Sequence, residues 1–166
     1  MGQGNTTGQT AELKWYATKT FIERAYVLKY LEQRHVETAR IADIPSLLFI
    51  HCTLKDIRWF RYELFGKLYV YRAAENTDPA PISDQEMNTF LLLAPFHSQP
   101  VIYLAVDDLA FFEGRQKRVN DGPFKGCEGI IKRLKGCRRL IVKISDHAAI
   151  ATPYIPAEYL EDLPED

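Results

Sequence analysis

Adjacent carboxylates stand at Asp107-Asp108 and Glu161-Asp162 in this 166-residue chain. Side chains adjacent in sequence do not face one another as a general acid and its base must, so neither pair reads as catalytic. The three cysteines, Cys52, Cys127 and Cys137, lack Cys-x-x-Cys spacing, and His35, His51, His97 and His147 fall at no ligand-like interval. No zinc or redox centre is expected from such a set. No Gly-x-Ser-x-Gly nucleophile elbow occurs, and no Gly-x-x-x-x-Gly-Lys-Ser/Thr phosphate loop. The expectation is a protein that binds rather than catalyses, with no catalytic residue, no metal and no cofactor.

Charge is where binding chemistry shows. The formal net charge is only −1, yet it is segregated: residues 1–110 carry 11 basic and 13 acidic residues, 111–145 carry 10 and 3, and 146–166 carry none and 6. The basic block, with Lys125, Lys132, Arg133, Lys135, Arg138 and Arg139, suits a phosphate backbone; a solvated basic face is the plainer reading. No apolar run reaches the ~20 residues that span a bilayer, so no membrane partner is expected. An odd cysteine count fits a reducing cytoplasm. Hydrophobic residues make up 46% of the chain and aromatics 12%, enough to build a packed core.

The elements that must position these residues follow from periodicity. Leu13 to Lys19 alternates as a strand, with Leu13, Trp15 and Ala17 on one face and Tyr16 on the other. Thr20 and Glu23 have the spacing of a capping box, opening a helix through Phe21, Ala25, Leu28 and Leu31. Val36 to Ala42 is a second strand. Leu47 to Ile50, apolar on both faces, reads as a central one, covered by a helix on one side and a partner on the other. Thr53 with Asp56 opens a helix carrying Ile57, Phe60 and Leu64, and Lys67 to Arg72 is another strand. Ser83 with Glu86 opens a third helix, with Ile82 stapled onto Met87. Val101 to Leu104 closes an α+β sandwich. Short strands with tight turns follow, as in a small all-β barrel of the SH3 kind. The expected boundaries are a disordered tail at 1–11, the sandwich at 12–104, a linker at 105–113 in which Phe111-Phe112 packs, the barrel at 114–162, and an acidic tail at 163–166.

The barrel carries the most specific pattern. Asn120-Asp-Gly-Pro-Phe-Lys-Gly-Cys-Glu-Gly129 resembles the KOW motif in its NusG form, with Gly122, Gly126 and Gly129 serving the turn and Phe124 plugging the barrel end. Trp15-Tyr16 on an opening strand and Ile44-Pro-Ser-Leu-Leu-Phe-Ile50 resemble the NusG N-terminal domain. Ile-Pro-Ser-Leu-Leu-Phe-Ile-His and the closing Ala151-Thr-Pro-Tyr-Ile-Pro156 look most like the UpxY-type antiterminators of capsular polysaccharide operons. The resemblance runs from Leu13 to Glu161. It implies a monomeric elongation factor that lays an apolar hollow on the clamp helices of RNA polymerase's largest subunit and promotes readthrough of a long operon.

Carried over by position, the hollow involves Tyr16, Ile44, Pro45, Leu47 and Phe49, with Trp15 beneath. Ile44 and Leu47 stand where family aromatics often sit. Arg58, Trp59 and Arg61 match a patch that reads exposed non-template DNA in specialised members. Lys132, Arg133, Arg138 and Arg139 suit leader RNA. Cys127 and Ala148 replace barrel aromatics that grip Rho or a ribosomal protein, which puts both partners in doubt. Two alternatives stay open: a general NusG-type factor coupling polymerase to Rho or the ribosome, and a ribosome-associated KOW protein.

Overall fold

The structure, a computed structural model, describes residues 11–41, 44–72, 78–93, 101–145 and 148–164. Residues 1–10 of the expected tail, Ala42 of the expected second strand, and Glu165 and Asp166 lie outside the described residues. The chain is mixed α+β, with two antiparallel sheets.

The first sheet has the order β2-β3-β1-β4, built from β1 (Lys14–Thr20), β2 (Glu37–Arg40), β3 (Leu47–Cys52) and β4 (Leu68–Val70). Its register pairs Ala17 with Phe49, Trp15 with His51 and Tyr16 with Ile50. Because side chains alternate along a strand, Trp15, Ala17, Leu47 and Phe49 share one face, while Tyr16, Leu48 and Ile50 share the other. The second face is covered by α1 (Arg24–Gln33) and α2 (Leu54–Glu63), through Val27, Tyr30, Leu31, Ile57, Phe60 and Leu64. The first face is covered by α3 (Asp84–Leu93), through Met87, Phe90 and Leu93.

Two of the three expected caps form. Thr53 Oγ1 accepts from the Asp56 amide at 3.0 Å. Ser83 and Glu86 close a full box, each side chain reaching the other's backbone N–H. The Thr20–Glu23 box does not form. Thr20 is the last residue of β1, paired with Leu68, and its hydroxyl donates to the Ser46 carbonyl instead. The helix therefore starts at Arg24, and Phe21 stays half exposed outside it.

The second sheet has the order β10-β6-β7-β8-β9-β5. Its strands are β5 (Ile102–Ala105), β6 (Gln116–Val119), β7 (Glu128–Leu134), β8 (Cys137–Ser145), β9 (Ala148–Ala151) and β10 (Leu160–Asp162). Here one expectation is corrected. The strand at 101–104 does not close the first sheet: β5 pairs antiparallel with β9, Tyr103 opposite Ile150. In the first sheet β4 pairs with β1, leaving β2 and β4 at the edges, whereas the β9 edge offered a ladder of small residues with apolar neighbours. The 3₁₀ turn at Leu109–Phe112 follows, and Phe111 and Phe112 pack on Ile130, Ile141, Ala149 and Ala151. The stretch read as linker thus straps the outer face of the second sheet.

One apolar cluster joins the two units: Phe49, Met87 and Phe90 belong with Phe124, Cys127, Leu140 and Val142. Polar ties reinforce it. Gln85 Nε2 donates to the Gly126 carbonyl at 2.9 Å, and the Tyr71 and Tyr103 hydroxyls lie 2.7 Å apart.

Candidate functional site

The sheet face expected to hold a partner is closed. Leu47 and Phe49 are each 1% exposed, and Ile44 and Tyr16 are buried as well. Phe49 stacks on Phe90 of α3, ring centroids 4.9 Å apart. Tyr16 is on the wrong face altogether, packed with Ile50 against α1 and α2. Trp15 is half-buried, stacked on His51 at 4.7 Å, and His51 Nδ1 hydrogen-bonds Glu37 at 2.9 Å. Of the six residues assigned to the hollow, Pro45 alone is exposed.

Magnitude decides what this closure means. Uncovering Met87, Phe90 and Leu93 costs about 1.5–3 kcal/mol for each side chain. The sum rivals the ~5–15 kcal/mol by which a domain is stable at all. The Leu47–Phe49 face is core, not a vacant recess. The physical reason is that a strand apolar on both sides is covered wherever the chain owns a helix long enough to cover it, and α3 does so.

The free aromatic surface lies elsewhere. On α2 the buried residues are Ile57 and Phe60, with Leu64 just past the helix, and the outward residues include Trp59, Tyr62 and, beyond the helix end, Phe65. These three are 52%, 72% and 86% exposed. The Trp59 and Tyr62 rings sit 5.6 Å apart, and with Lys55, Asp56 and Arg58 they line an open hollow of about 500 Å3. Arg58 grips Asp78 with both ends of its fork, and that hydrogen bonding holds the Asp78 carboxyl below the usual carboxylate range. Both groups are exposed, and a surface pair of this kind exchanges partners readily. Arg58, Trp59 and Arg61, singled out in the sequence, share this helix, and Tyr62 and Phe65 extend the set. The spacing of Trp59, Tyr62 and Phe65, three residues apart and off the buried stripe, was the available signal.

A second exposed group sits where β1 runs into α1. Phe21, Tyr26 and Tyr69 are about half exposed and Ile22 is fully so. Two lysines knit it together: Lys19 Nζ lies 6.0 Å from the Phe21 ring centre and Lys67 Nζ 5.1 Å from that of Tyr26. Apolar side chains gathered at a surface mark contact sites.

In the second unit Gly122, Phe124 and Gly126 lie between β6 and β7, while Gly129 stands on β7 itself. Gly122 and Gly126 have φ of +79° and +95°, a region L side chains rarely adopt. Phe124 is buried in the joint core. Gly129 serves differently: a Cβ there would lie 2.3 Å from the Ile141 carbonyl oxygen. Among the basic residues, Arg139 is removed from the nucleic-acid set. It is 8% exposed and donates to the Thr152 carbonyl at 3.0 Å and the Leu134 carbonyl at 3.4 Å. Arg133 is exposed, and Lys132 and Arg138 are half-buried.

Burial pushes the Cys52 thiol up to about 12 and raises that of Cys127, which a hydrogen bond with Thr89 partly offsets. A thiol raised on folding adds stability in full below its unfolded pKa of about 8.5 and loses it as pH climbs towards the folded value. Titration of native protein at pH 8 with a thiol reagent should therefore label Cys137 alone quickly, and all three cysteines in denaturant. Fast labelling of Cys52 would show that α2 lifts from the sheet.

Among the described residues no cluster of His, Cys, Asp or Glu fits a metal, and no helix is long and apolar enough to cross a membrane. No family model matches the chain, and no curated protein matches it. Among solved structures, NusG of Thermotoga maritima, described under the words "domain interaction", is similar at a TM-score of 0.46 and 20% identity, over 92% of this chain and 98% of that one.

Proposed function

We propose that this chain is a non-enzymatic transcription elongation factor of the NusG kind, which binds RNA polymerase and promotes readthrough of a long operon, one for surface polysaccharide. The reading rests on the sequence resemblance. The turn at 120–129 supports it, because its glycines occupy positions where left-handed backbone or close approach excludes other residues. The contact surfaces are reassigned by exposure. Phe21, Ile22, Tyr26 and Tyr69 meet the polymerase, in place of the closed Leu47–Phe49 face. Trp59 and Tyr62, flanked by Lys55, Arg58 and Arg61, stack an unpaired base of the non-template strand.

The test is a leader-reporter transcription assay with purified polymerase. Added protein should raise readthrough, and an unchanged terminated fraction would sink the proposal. In a separate binding titration, Trp59→Ala with Tyr62→Ala should weaken binding to single-stranded DNA by roughly 5- to 150-fold, the range of one lost base stack at ~1–3 kcal/mol. The unfolding midpoint should barely move, since both rings are exposed.

The alternative of a general factor coupled to Rho or the ribosome draws no support from the barrel. Cys127 and Ala148, at the anchor positions, are both fully buried. Measured Rho binding by the intact chain would restore that alternative. Co-sedimentation with ribosomes rather than polymerase would favour a ribosome-associated protein.

A further inference from the structure

The cations around the Trp59–Tyr62 platform are not equivalent. Among the described residues, Lys55 and Arg61 have no carboxylate within ion-pair distance. Arg58 is gripped at both ends of its fork: Nε donates to Asp78 Oδ1 at 2.9 Å and a terminal nitrogen donates to Oδ2. Arg118, by contrast, turns two nitrogens onto a single oxygen of Glu128. Two nitrogens on two oxygens is the geometry in which arginine also takes a phosphate.

The carboxylate is brought to α2 by backbone restraints. Asp78 lies 20 residues from Arg58 in sequence. It immediately precedes Pro79, and a residue before proline is confined to extended backbone. Pro79 is bridged to Arg72, and the Ile82 amide donates to the Trp15 carbonyl at 2.8 Å. Asp78 therefore leads a pinned segment and is held over the helix. Arg58 through its hydrogen bond and charge, and Arg61 through its charge, keep the Asp78 carboxyl low, so it faces both arginines of the platform. Stability does not explain the pair. The two side chains are 53% and 58% exposed, and ion pairs in water add little to a fold.

We propose that Asp78 is an internal competitor at the α2 site: its carboxylate occupies the place on Arg58 that a phosphate of single-stranded DNA takes, and it must leave before the strand seats. The inference rests on the reading above, in which α2 stacks an unpaired base. A bare anion merely exchanges one partner of Arg58 for another. A strand that also fills the Trp59–Tyr62 platform has the stack to draw on, and specificity is that difference.

The test is fluorescence anisotropy with the intact chain and a labelled single-stranded oligodeoxynucleotide of mixed sequence. Asp78→Asn should tighten binding roughly two- to fivefold, the worth of an exposed ion pair that no longer has to be broken. Asp78→Ala should tighten it at least as much. Salt should weaken binding more steeply in Asp78→Asn, because in the parent it also loosens the Arg58–Asp78 pair. Glu63→Gln removes an equal charge from the same helix, at an exposed position, and should gain less. On an Arg58→Gln background, Asp78→Asn should gain little. Weaker binding by Asp78→Asn overturns the proposal, since Asp78 would then position Arg58 for the strand. A gain equal to that of Glu63→Gln, or one that persists without Arg58, also overturns it, as an effect of net charge alone. Absence of binding by parent and variants alike overturns the α2 reading and the competitor with it, whereas equal binding by parent and Asp78→Asn removes the competitor only. No polymerase is present, so either failure leaves a positive readthrough result standing.

Discussion

Gly129→Ala is expected to unfold the second unit or bring it close to unfolding. The new Cβ would lie 2.3 Å from the Ile141 carbonyl oxygen and 3.1 Å from Leu140 Cγ. Overpacking typically costs about 1–3 kcal/mol, because neighbouring side chains absorb part of the strain. Here the obstacle is the backbone of β8, which is paired with β7 on one side and β9 on the other. It has no rotamer to change, so the cost should reach about 3 kcal/mol or more. Gly126→Ala makes the graded control. Its φ is +95° but nothing lies within 4 Å of the added carbon, so only left-handed strain remains, at about 1–2 kcal/mol. Urea unfolding followed by tryptophan fluorescence and by circular dichroism measures both. A Gly129→Ala midpoint equal to that of Gly126→Ala would show that β7 and β8 do not approach so closely.

Phe49→Ala should cost about 3–5 kcal/mol, the range for truncating a buried phenylalanine that leaves a cavity. Phe49→Asp should cost more, because a carboxylate would sit unpaired among Ala17, Met87 and Phe90. Ile22→Asp gives the opposite profile. Ile22 is fully exposed, so its stability should shift by no more than about 0.5 kcal/mol, while polymerase capture should fall at least tenfold. A pull-down scored beside a melting curve separates the two. If Phe49→Asp melts like the parent and loses polymerase, α3 and the second unit open in solution, and the Leu47–Phe49 face is the docking site after all. Should Ile22→Asp capture polymerase as well as the parent, the β1–α1 corner is not the contact.

Much of the local structure was legible because its causes are local. Thr53 and Ser83 sit where side-chain oxygens reach the amide three residues on, and both caps form. Thr20 has the same pattern and fails. The Ser46 carbonyl, just ahead of β3 and 26 residues away in sequence, takes its hydroxyl, and no short window contains that residue. The strand at 101–104 was likewise legible as a strand but not as a member of the second sheet. Nothing in Ile102 to Ala105 distinguishes the edge of β4 from the edge of β9.

The candidate surfaces divide in the same way. Alternation along β1 by itself places Trp15 and Tyr16 on opposite faces, and the composition of residues 111–145 marks the second unit as the basic one. Charge type, turn glycines and strand period belong to individual residues and their nearest neighbours, and those the amino-acid order determines by itself. Which apolar face stays open is a property of the whole packing. Phe49 is as greasy as Phe65, yet one stacks under Phe90 and the other faces water. Arg139 is as basic as Arg133, yet register points it at two carbonyls. Burial depends on where distant segments come to rest, so only the tertiary structure decided which of these side chains a partner can reach.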